Sequence, residues 1–311
     1  MKAAVLHAFG QVPVHEAFRE PELAAGEELA RVTAAGLHPL VRAIASGSHY
    51  LSKGPMPCVL GVDGVVRTES GARFYTGRLR APFGTMAERA ALGAFRVPVP
   101  AALSDSRCAA IMNPGLSSWL ALESRARLAA GERVLVLGAT GAAGSLGVQI
   151  AKRLGAGRVV AVGRDEGALK RLEALGADET VRLGDDGASI RRAVAGCGFD
   201  VVLDYLWGAP AEVALGALAA NDHSREARVR FVQIGASAGD PIALQSQWLR
   251  SAQIEILGSG IGSVSQDAIA AAVPRFLTAA PELELDVEEA PLQDVARVWG
   301  EARRARIVFV P

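Results

Sequence analysis

Hydrophobic and polar positions fall into two textures along the chain. From residue 1 to about 110 the apolar runs are short. They are cut by Gly10, Pro13, Pro21, Gly26, Gly54-Pro55, Gly71, Pro82 and Gly84. This punctuation predicts strands over Lys2–His7, Glu28–Ala34, Val59–Glu69, Arg73–Tyr75 and Thr85–Ala91, in a β-rich, irregular domain. After VPVP (Val97–Pro100) the pattern turns helical, and from about 113 apolar runs alternate with longer stretches at helical spacing. The runs are Arg133–Leu137, Arg158–Val162, Glu179–Leu183, Asp200–Asp204, Arg228–Ile234 and Glu255–Gly258. Runs apolar on both faces predict a parallel sheet between helical layers, and six of them match two mononucleotide-binding halves. After Gly260 the pattern predicts a helix near Gln266–Thr278, a strand near Glu282–Val287, a helix near Leu292–Ala302 and a last strand, Arg306–Val310.

Composition narrows the picture. A chain of 311 residues, half of them hydrophobic, is expected to form two domains with separate cores. Lys+Arg and Asp+Glu both total 33, so no net field draws the chain to nucleic acid or an anionic membrane. The apolar runs are too short to span a bilayer, and the opening residues read as a strand rather than a signal peptide. A soluble, cytoplasmic protein is expected, with neither nucleic acid nor membrane as partner. Cys58, Cys108 and Cys197 stand far apart, with no CxxC pair, which argues against a zinc cluster.

The chemistry gathers in LVLGATGAAGSLGVQIAK, Leu135 to Lys152. A strand ends in Gly138-Ala139-Thr140-Gly141-Ala142-Ala143-Gly144, and a helix follows with Leu146, Ile150 and Leu154 on one side. Read as G/A-x-G-x-x-G, the fingerprint is Ala139, Gly141 and Gly144. Ala139 sits in the tight turn, Gly141 lets the backbone approach a pyrophosphate, and Gly144 lets the helix pack close to the sheet. Thr140, Ala142 and Ala143 complete the cradle, where a helix N-terminus offers N–H groups to an anion. The alternative is a glycine-rich turn that holds nothing. The second strand ends in Gly163-Arg164, where an NAD site usually carries Asp or Glu. Gly163 leaves room and Arg164 offers a fork of donors to a 2′-phosphate, which favours NADPH over NADH. The alternative for Arg164 is a solvated charge. Asp165 reads as the N-cap of the next helix.

With these residues in view the chain resembles a medium-chain dehydrogenase/reductase of the zinc-independent quinone oxidoreductase type. The likeness is carried by MKAAVLHAFG, GEELARVTAAG, GVDGVV, NPGLSSWLAL, the cradle with its flanks, ALGADE and RIVFVP. It implies an α/β fold: a Rossmann doubly wound parallel sheet over 113–260, plus a GroES-like β-barrel substrate domain over 1–112 to which 261–311 return. It also implies an active site in the cleft between the domains, and a homodimer that pairs the strand near Ile254–Gly258. Asn113 and Ser117 in NPGLS match a segment lining the nicotinamide side. Tyr205 and Trp207 follow the fourth strand, where they flank the cofactor, narrow the pocket or pack the core. Gly235 and Ser259 follow the fifth and sixth strands, where open α/β sheets bind ligands.

Zinc-dependent relatives carry a Cys and a His where this chain has His38 and Val62, and the four-cysteine lobe is absent, so no catalytic zinc is expected. The relatives' N-P-x-D-x-Y motif reads His38-Pro39-Leu40-Val41-Arg42-Ala43 here, and the barrel is shortened between Val66 and Ala81. Without a metal, a hydrogen-bond donor must stabilise charge on the substrate oxygen. His38 and Tyr50 are the catalytic candidates; the alternatives are a backbone-bonded histidine and a packed tyrosine. The implied activity is NADPH-dependent hydride transfer to a small quinone, enone or related carbonyl. An enoyl-thioester reductase and a catalytically silent NADPH-binding sensor or structural protein stay open beside it.

Overall fold

Strands and helices alternate in an order that follows the two textures. In the computed structural model, which describes residues 1–301 and 303–311, the chain begins with β1 (Lys2–Leu6), β2 (Val14–Ala17), β3 (Glu28–Gly36), α1 (Pro39–Ser46), β4 (Cys58–Val59), β5 (Asp63–Arg67), β6 (Arg73–Gly77), β7 (Arg89–Leu92) and β8 (Arg96–Pro98). Helix α2 (Asp105–Leu120) leads through a π-helical turn into β9 (Arg133–Leu137). There follow α3 (Ala142–Arg153), β10 (Arg158–Gly163), α4 (Glu166–Ala174), β11 (Glu179–Arg182), α5 (Ala188–Gly196) and β12 (Val201–Asp204). Next come α6 (Gly208–Ala220), α7 (Asp222–Glu226), β13 (Val229–Gln233), α8 (Ser246–Ser251) and β14 (Ile254–Gly258). The last elements are α9 (Gln266–Ala279), β15 (Val287–Pro291), α10 (Val295–Val298) and β16 (Arg306–Val310).

Two compact units result: Met1–Asn113 with Val273–Pro311, and Pro114–Ala272. The second unit is built on a six-stranded sheet in the order β11-β10-β9-β12-β13-β14, parallel throughout. Val134–Leu137, Val159–Val162 and Val201–Leu203 are buried, which explains why these strands read as unbroken apolar runs. The strand order reverses between β9 and β12, the place where doubly wound sheets open a crevice. Both the cradle after β9 and Tyr205 after β12 lie at that reversal.

The first unit holds a seven-stranded sheet, β15-β16-β3-β5-β6-β8 with β7 also on β3, and a three-stranded sheet, β2-β1-β4. Leu6, Val66, Met86, Leu92, Ile307 and Phe309 share its core. Strand β16 joins β3 antiparallel through Val308↔Gly36 and Phe309↔Ala35, so the C-terminal segment completes this sheet.

Several elements depart from the sequence expectation. The run Val59–Glu69 is two strands, because the chain turns at Gly61, whose φ of +105 favours glycine. The strand expected near Glu282–Val287 lies at Val287–Pro291, where the chain meets β16 in parallel register. The expected helix near Leu292–Ala302 is a 3-10 turn followed by α10, and its expected end at Ala302 lies outside the described residues. Among the described residues, no helix is long and apolar enough to cross a membrane.

Candidate functional site

The turn after β9 is tied down by its own backbone. The amides of Gly138 and Ala139 both donate to Val162 O, at 3.0 and 2.9 Å, which fixes the turn to the end of β10. Gly138 has φ +87, and Ala139 is fully buried. Gly141 caps α3 in an extended conformation and no side chain caps this end. The first-turn amides at Ala142, Ala143 and Gly144 therefore present unsatisfied donors at the positive end of the helix dipole.

The glycines of the fingerprint do different jobs. A Cβ on Gly144 would lie 2.3 Å from Gly138 O and 2.7 Å from Ala139 Cα, so only glycine lets α3 start against the turn. At Gly141 a Cβ would meet nothing closer than Gly138 O at 3.5 Å, and the residue is exposed. The protein's own packing does not demand glycine there, so the space is available to a ligand.

At Gly163 the reason for glycine differs from the expected one. A Cβ there would lie 2.3 Å from Thr140 Cγ2, so the room left by Gly163 is occupied by Thr140 rather than kept for a phosphate. Arg164 follows, exposed, and forms no ion pair or hydrogen bond with another described residue. Asp165 caps α4, its carboxylate accepting from Ala168 N at 2.8 Å. Glu166, the first residue of α4, pairs with Arg182 at 3.0 Å.

Tyr205, for which the sequence leaves cofactor contact, pocket narrowing and core packing open, is buried. Its hydroxyl lies 2.7 Å from Ser118 Oγ, which in turn donates to Ala143 O at 3.0 Å. The same hydroxyl would lie 2.8 Å from a Cβ on Gly147, so that glycine makes room for it. Burial pushes the Tyr205 phenol well above its ordinary range. Tyr205 and Ser118 thus brace the first turn of α3 from beneath. Sequence reasoning passed over Ser118, whose only signal was its place next to Ser117; the latter bonds Pro114 O at 2.7 Å.

Asp204 was also missed. It is fully buried at the end of β12, and its carboxylate accepts from Leu206 N at 2.9 Å and Trp207 N at 3.1 Å. Burial pushes its carboxyl up to about 6, against the pull of those two amides. Gly235 packs on this turn, with a Cβ position 2.9 Å from Tyr205 O and its amide 3.1 Å from Asp204 O. Ser259 is tied to Gln233 O at 2.8 Å. The cradle, Arg164, Tyr205, Gly235 and Ser259 therefore all stand at C-terminal strand ends of one sheet.

The two catalytic candidates belong to the other unit, as does Asn113. His38 is 1 % exposed, and its Nε2 lies 3.0 Å from Asp63 Oδ1. Tyr75 donates to Asp63 Oδ2 at 2.7 Å, and Thr85 donates to Asp63 O at 2.6 Å. Burial, then the Asp63 charge, raises the Tyr75 phenol and the Cys108 thiol well above their usual ranges. His38 Nδ1 is buried and has no hydrogen-bond partner among the described residues. Tyr50 is 61 % exposed in the segment after α1, its ring tilted over His49 at 4.1 Å. Among the described residues, no group of three or more His, Cys, Asp or Glu is placed to hold a metal ion.

The chain is similar to known proteins over most of this architecture. The family described as zinc-binding dehydrogenase matches residues 142–278. A relative from Emericella nidulans named "Probable NADPH-dependent quinone reductase tdiC" is 32 % identical over 221 residues, 65 % of this chain and 61 % of that protein. A Mycobacterium tuberculosis protein named "Mycocerosic acid synthase-like polyketide synthase" is 32 % identical over 139 residues, 44 % of this chain and 6 % of the synthase. The chain thus spans less than two thirds of the length of these relatives. Among solved structures, the quinone oxidoreductase of Thermus thermophilus, also determined in complex with NADPH, covers this chain and its own in full, at 28 % identity and a TM-score of 0.81.

Proposed function

Because the chain belongs to the medium-chain dehydrogenase/reductase superfamily, quinone oxidoreductase-like, with a Rossmann and a GroES-like domain, we propose that it is a cytoplasmic, zinc-independent NADPH-dependent reductase of a quinone, enone or related carbonyl. The observation that carries this reading is the pairing of an open cradle at Gly141–Gly144 with an exposed Arg164 that pairs with no described residue. When bound, the nicotinamide supplies the hydride. The first-turn amides of α3 receive a diphosphate, and Arg164 receives the ribose phosphate. Asn113, Ser117, Gly235 and Ser259 are assigned to the nicotinamide side.

The substrate oxygen needs a donor as negative charge builds on it. Tyr50 is the exposed one of the two candidates and takes that role, while His38 is buried with its Nε2 held by Asp63. Zinc is not assigned, because Val62, where zinc-dependent relatives carry a His, has no donor atom. A homodimer through β14 is assigned because that strand is an edge of the six-stranded sheet.

A second reading, reduction of an enoyl thioester, is favoured by the polyketide synthase similarity. The test is titration with NADPH by fluorescence and calorimetry, followed by NADPH oxidation against quinones, enals and a short enoyl thioester. Rapid oxidation by quinones or enals supports the first reading, and oxidation by the thioester alone supports the second. Binding without turnover on any acceptor points to the catalytically silent protein. No binding up to millimolar NADPH overturns the cofactor assignment.

A further inference from the structure

Strands β10 and β11 end level with one another. Their parallel register pairs Val162 with Val181 and Gly163 with Arg182. Arg164 directly follows Gly163, so two guanidinium groups leave from neighbouring strand ends. They differ in their partners. Arg164 pairs with no described residue, whereas Arg182 Nε lies 3.0 Å from Glu166 Oε1. That ion pair is open to solvent, with side-chain exposures of 68 % for Arg182 and 73 % for Glu166. An exposed pair of this kind is held weakly and changes partners readily.

Two carboxylates follow Arg164 in the chain, and both are occupied. Asp165 is spent on capping α4. Glu166 is spent on Arg182. Neither is left to receive the hydroxyls of an unphosphorylated ribose unless its present bond is broken. A phosphate monoester, by contrast, brings nearly two negative charges and three acceptor oxygens. It can engage Arg164 and take Arg182 away from Glu166, since a dianion outcompetes a single carboxylate for a guanidinium fork.

We propose that Arg182 is the second cation of the ribose 2′-phosphate subsite, and that Glu166 holds it in reserve as a resident competitor. This assignment rests on the NADPH reading above and names the residues that would set its discrimination. Glu166 acts in two ways against the phosphorylated ligand: it occupies Arg182, and its own charge repels the incoming phosphate. The preference for NADPH is therefore lower in this chain than its two arginines alone would give.

The experiment uses the full chain and two fragments that differ only in the group at issue, adenosine 2′,5′-bisphosphate and adenosine 5′-monophosphate, titrated calorimetrically. The parent is expected to prefer the bisphosphate. Arg182→Gln should weaken bisphosphate binding about tenfold, as the loss of one charge-assisted contact predicts. The monophosphate should be unaffected, and Arg182→Lys should recover part of the loss. Glu166→Gln should tighten the bisphosphate severalfold and leave the monophosphate unchanged. If Arg182→Gln keeps the parent's preference while Arg164→Gln abolishes it, the role of Arg182 is overturned and the NADPH reading stands. Equal weakening of both fragments by Arg182→Gln overturns that role as well. If the parent itself binds both fragments equally, or binds neither, the inference and the NADPH reading fall together.

Discussion

Thr140 fills the space that a side chain at Gly163 would need, with 2.3 Å between its Cγ2 and the position of a Cβ there. The glycine at the end of β10 therefore sets the conformation of the turn after β9. Gly163→Ala is expected to lower stability by about 1–3 kcal/mol through overpacking, and to weaken NADPH binding with it. Adding Thr140→Ala should restore both. Denaturant melts and calorimetric titration of the single and double variants check this; a single variant that binds like the parent would show that the contact does not govern the cradle.

Gly144 and Gly141 should behave differently from one another. Gly144→Ala drives a Cβ to 2.3 Å from the backbone oxygen of Gly138, which no neighbouring rotamer can relieve. A loss of about 3 kcal/mol is expected, at the upper end for overpacking. Gly141→Ala meets only Gly138 O at 3.5 Å, so stability should stay within about 1 kcal/mol of the parent. NADPH affinity should nevertheless fall tenfold or more, roughly 1.4 kcal/mol, if a diphosphate uses that space. Unchanged affinity in Gly141→Ala would count against the cradle.

Ser118 and Tyr205 form one buried unit. Ser118→Ala strands the Tyr205 hydroxyl and should cost about 1–3 kcal/mol. With Tyr205→Phe added, the stranded group is gone, so the double variant should be less destabilised than the sum of the two single changes. A double-mutant cycle in urea measures the difference. Strict additivity would mean the 2.7 Å contact carries no coupling.

Tyr50 is exposed, so Tyr50→Phe should leave the melting temperature unchanged. If its hydroxyl polarises the substrate oxygen, kcat should drop about a hundredfold, the low end for a positioned acid, with little change in KM for NADPH. Steady-state rates on the best acceptor decide it. A variant with the parent's kcat transfers the assignment to His38 or to positioning alone.

The carboxyl of Asp204 gives a pH dependence with a definite sign. Its folded value, pushed up to about 6 by burial, lies above the ordinary range. The folded protein thus holds this proton more tightly than the unfolded chain. The resulting stabilisation is complete below about pH 4 and is lost as pH rises through about 6. The difference from an ordinary carboxyl corresponds to about 2–3 kcal/mol. Urea melts between about pH 4 and 7 should show this decline, and Asp204→Asn should flatten it.

Much of the six-stranded parallel sheet was legible because parallel strands buried on both faces cannot avoid being apolar, as Val134–Leu137 and Val159–Val162 are. The capping by Asp165 was equally plain, since a short carboxylate just ahead of a helical pattern has one obvious use. Strand β2 was not legible: Val14–Ala17 is four residues with no buried position, and only its partner β1 makes it a strand. The alternation Glu282-Leu283-Glu284-Leu285 looked like a strand, yet the partner β16 lies in register with Val287–Pro291 instead. The site divided in the same way. The glycines announced the cradle, but whether a glycine makes room for a ligand or for a neighbour depends on residues distant in sequence, as Gly163 and Thr140 show. The bond between His38 and Asp63, 25 positions away, left no trace in local sequence.

The backbone of Trp207 sits at φ +54, ψ −159, a region that burdens a residue with a side chain by about 1–3 kcal/mol. Its amide is one of the two held by Asp204, and its indole leans toward Phe231 at 6.4 Å. An intrinsic fluorophore thereby shares a backbone hydrogen bond with the carboxylate that titrates near neutrality. Emission from that indole, recorded in variants lacking the tryptophans at 119, 248 and 299, would read out the charge of the loop optically, without any added label.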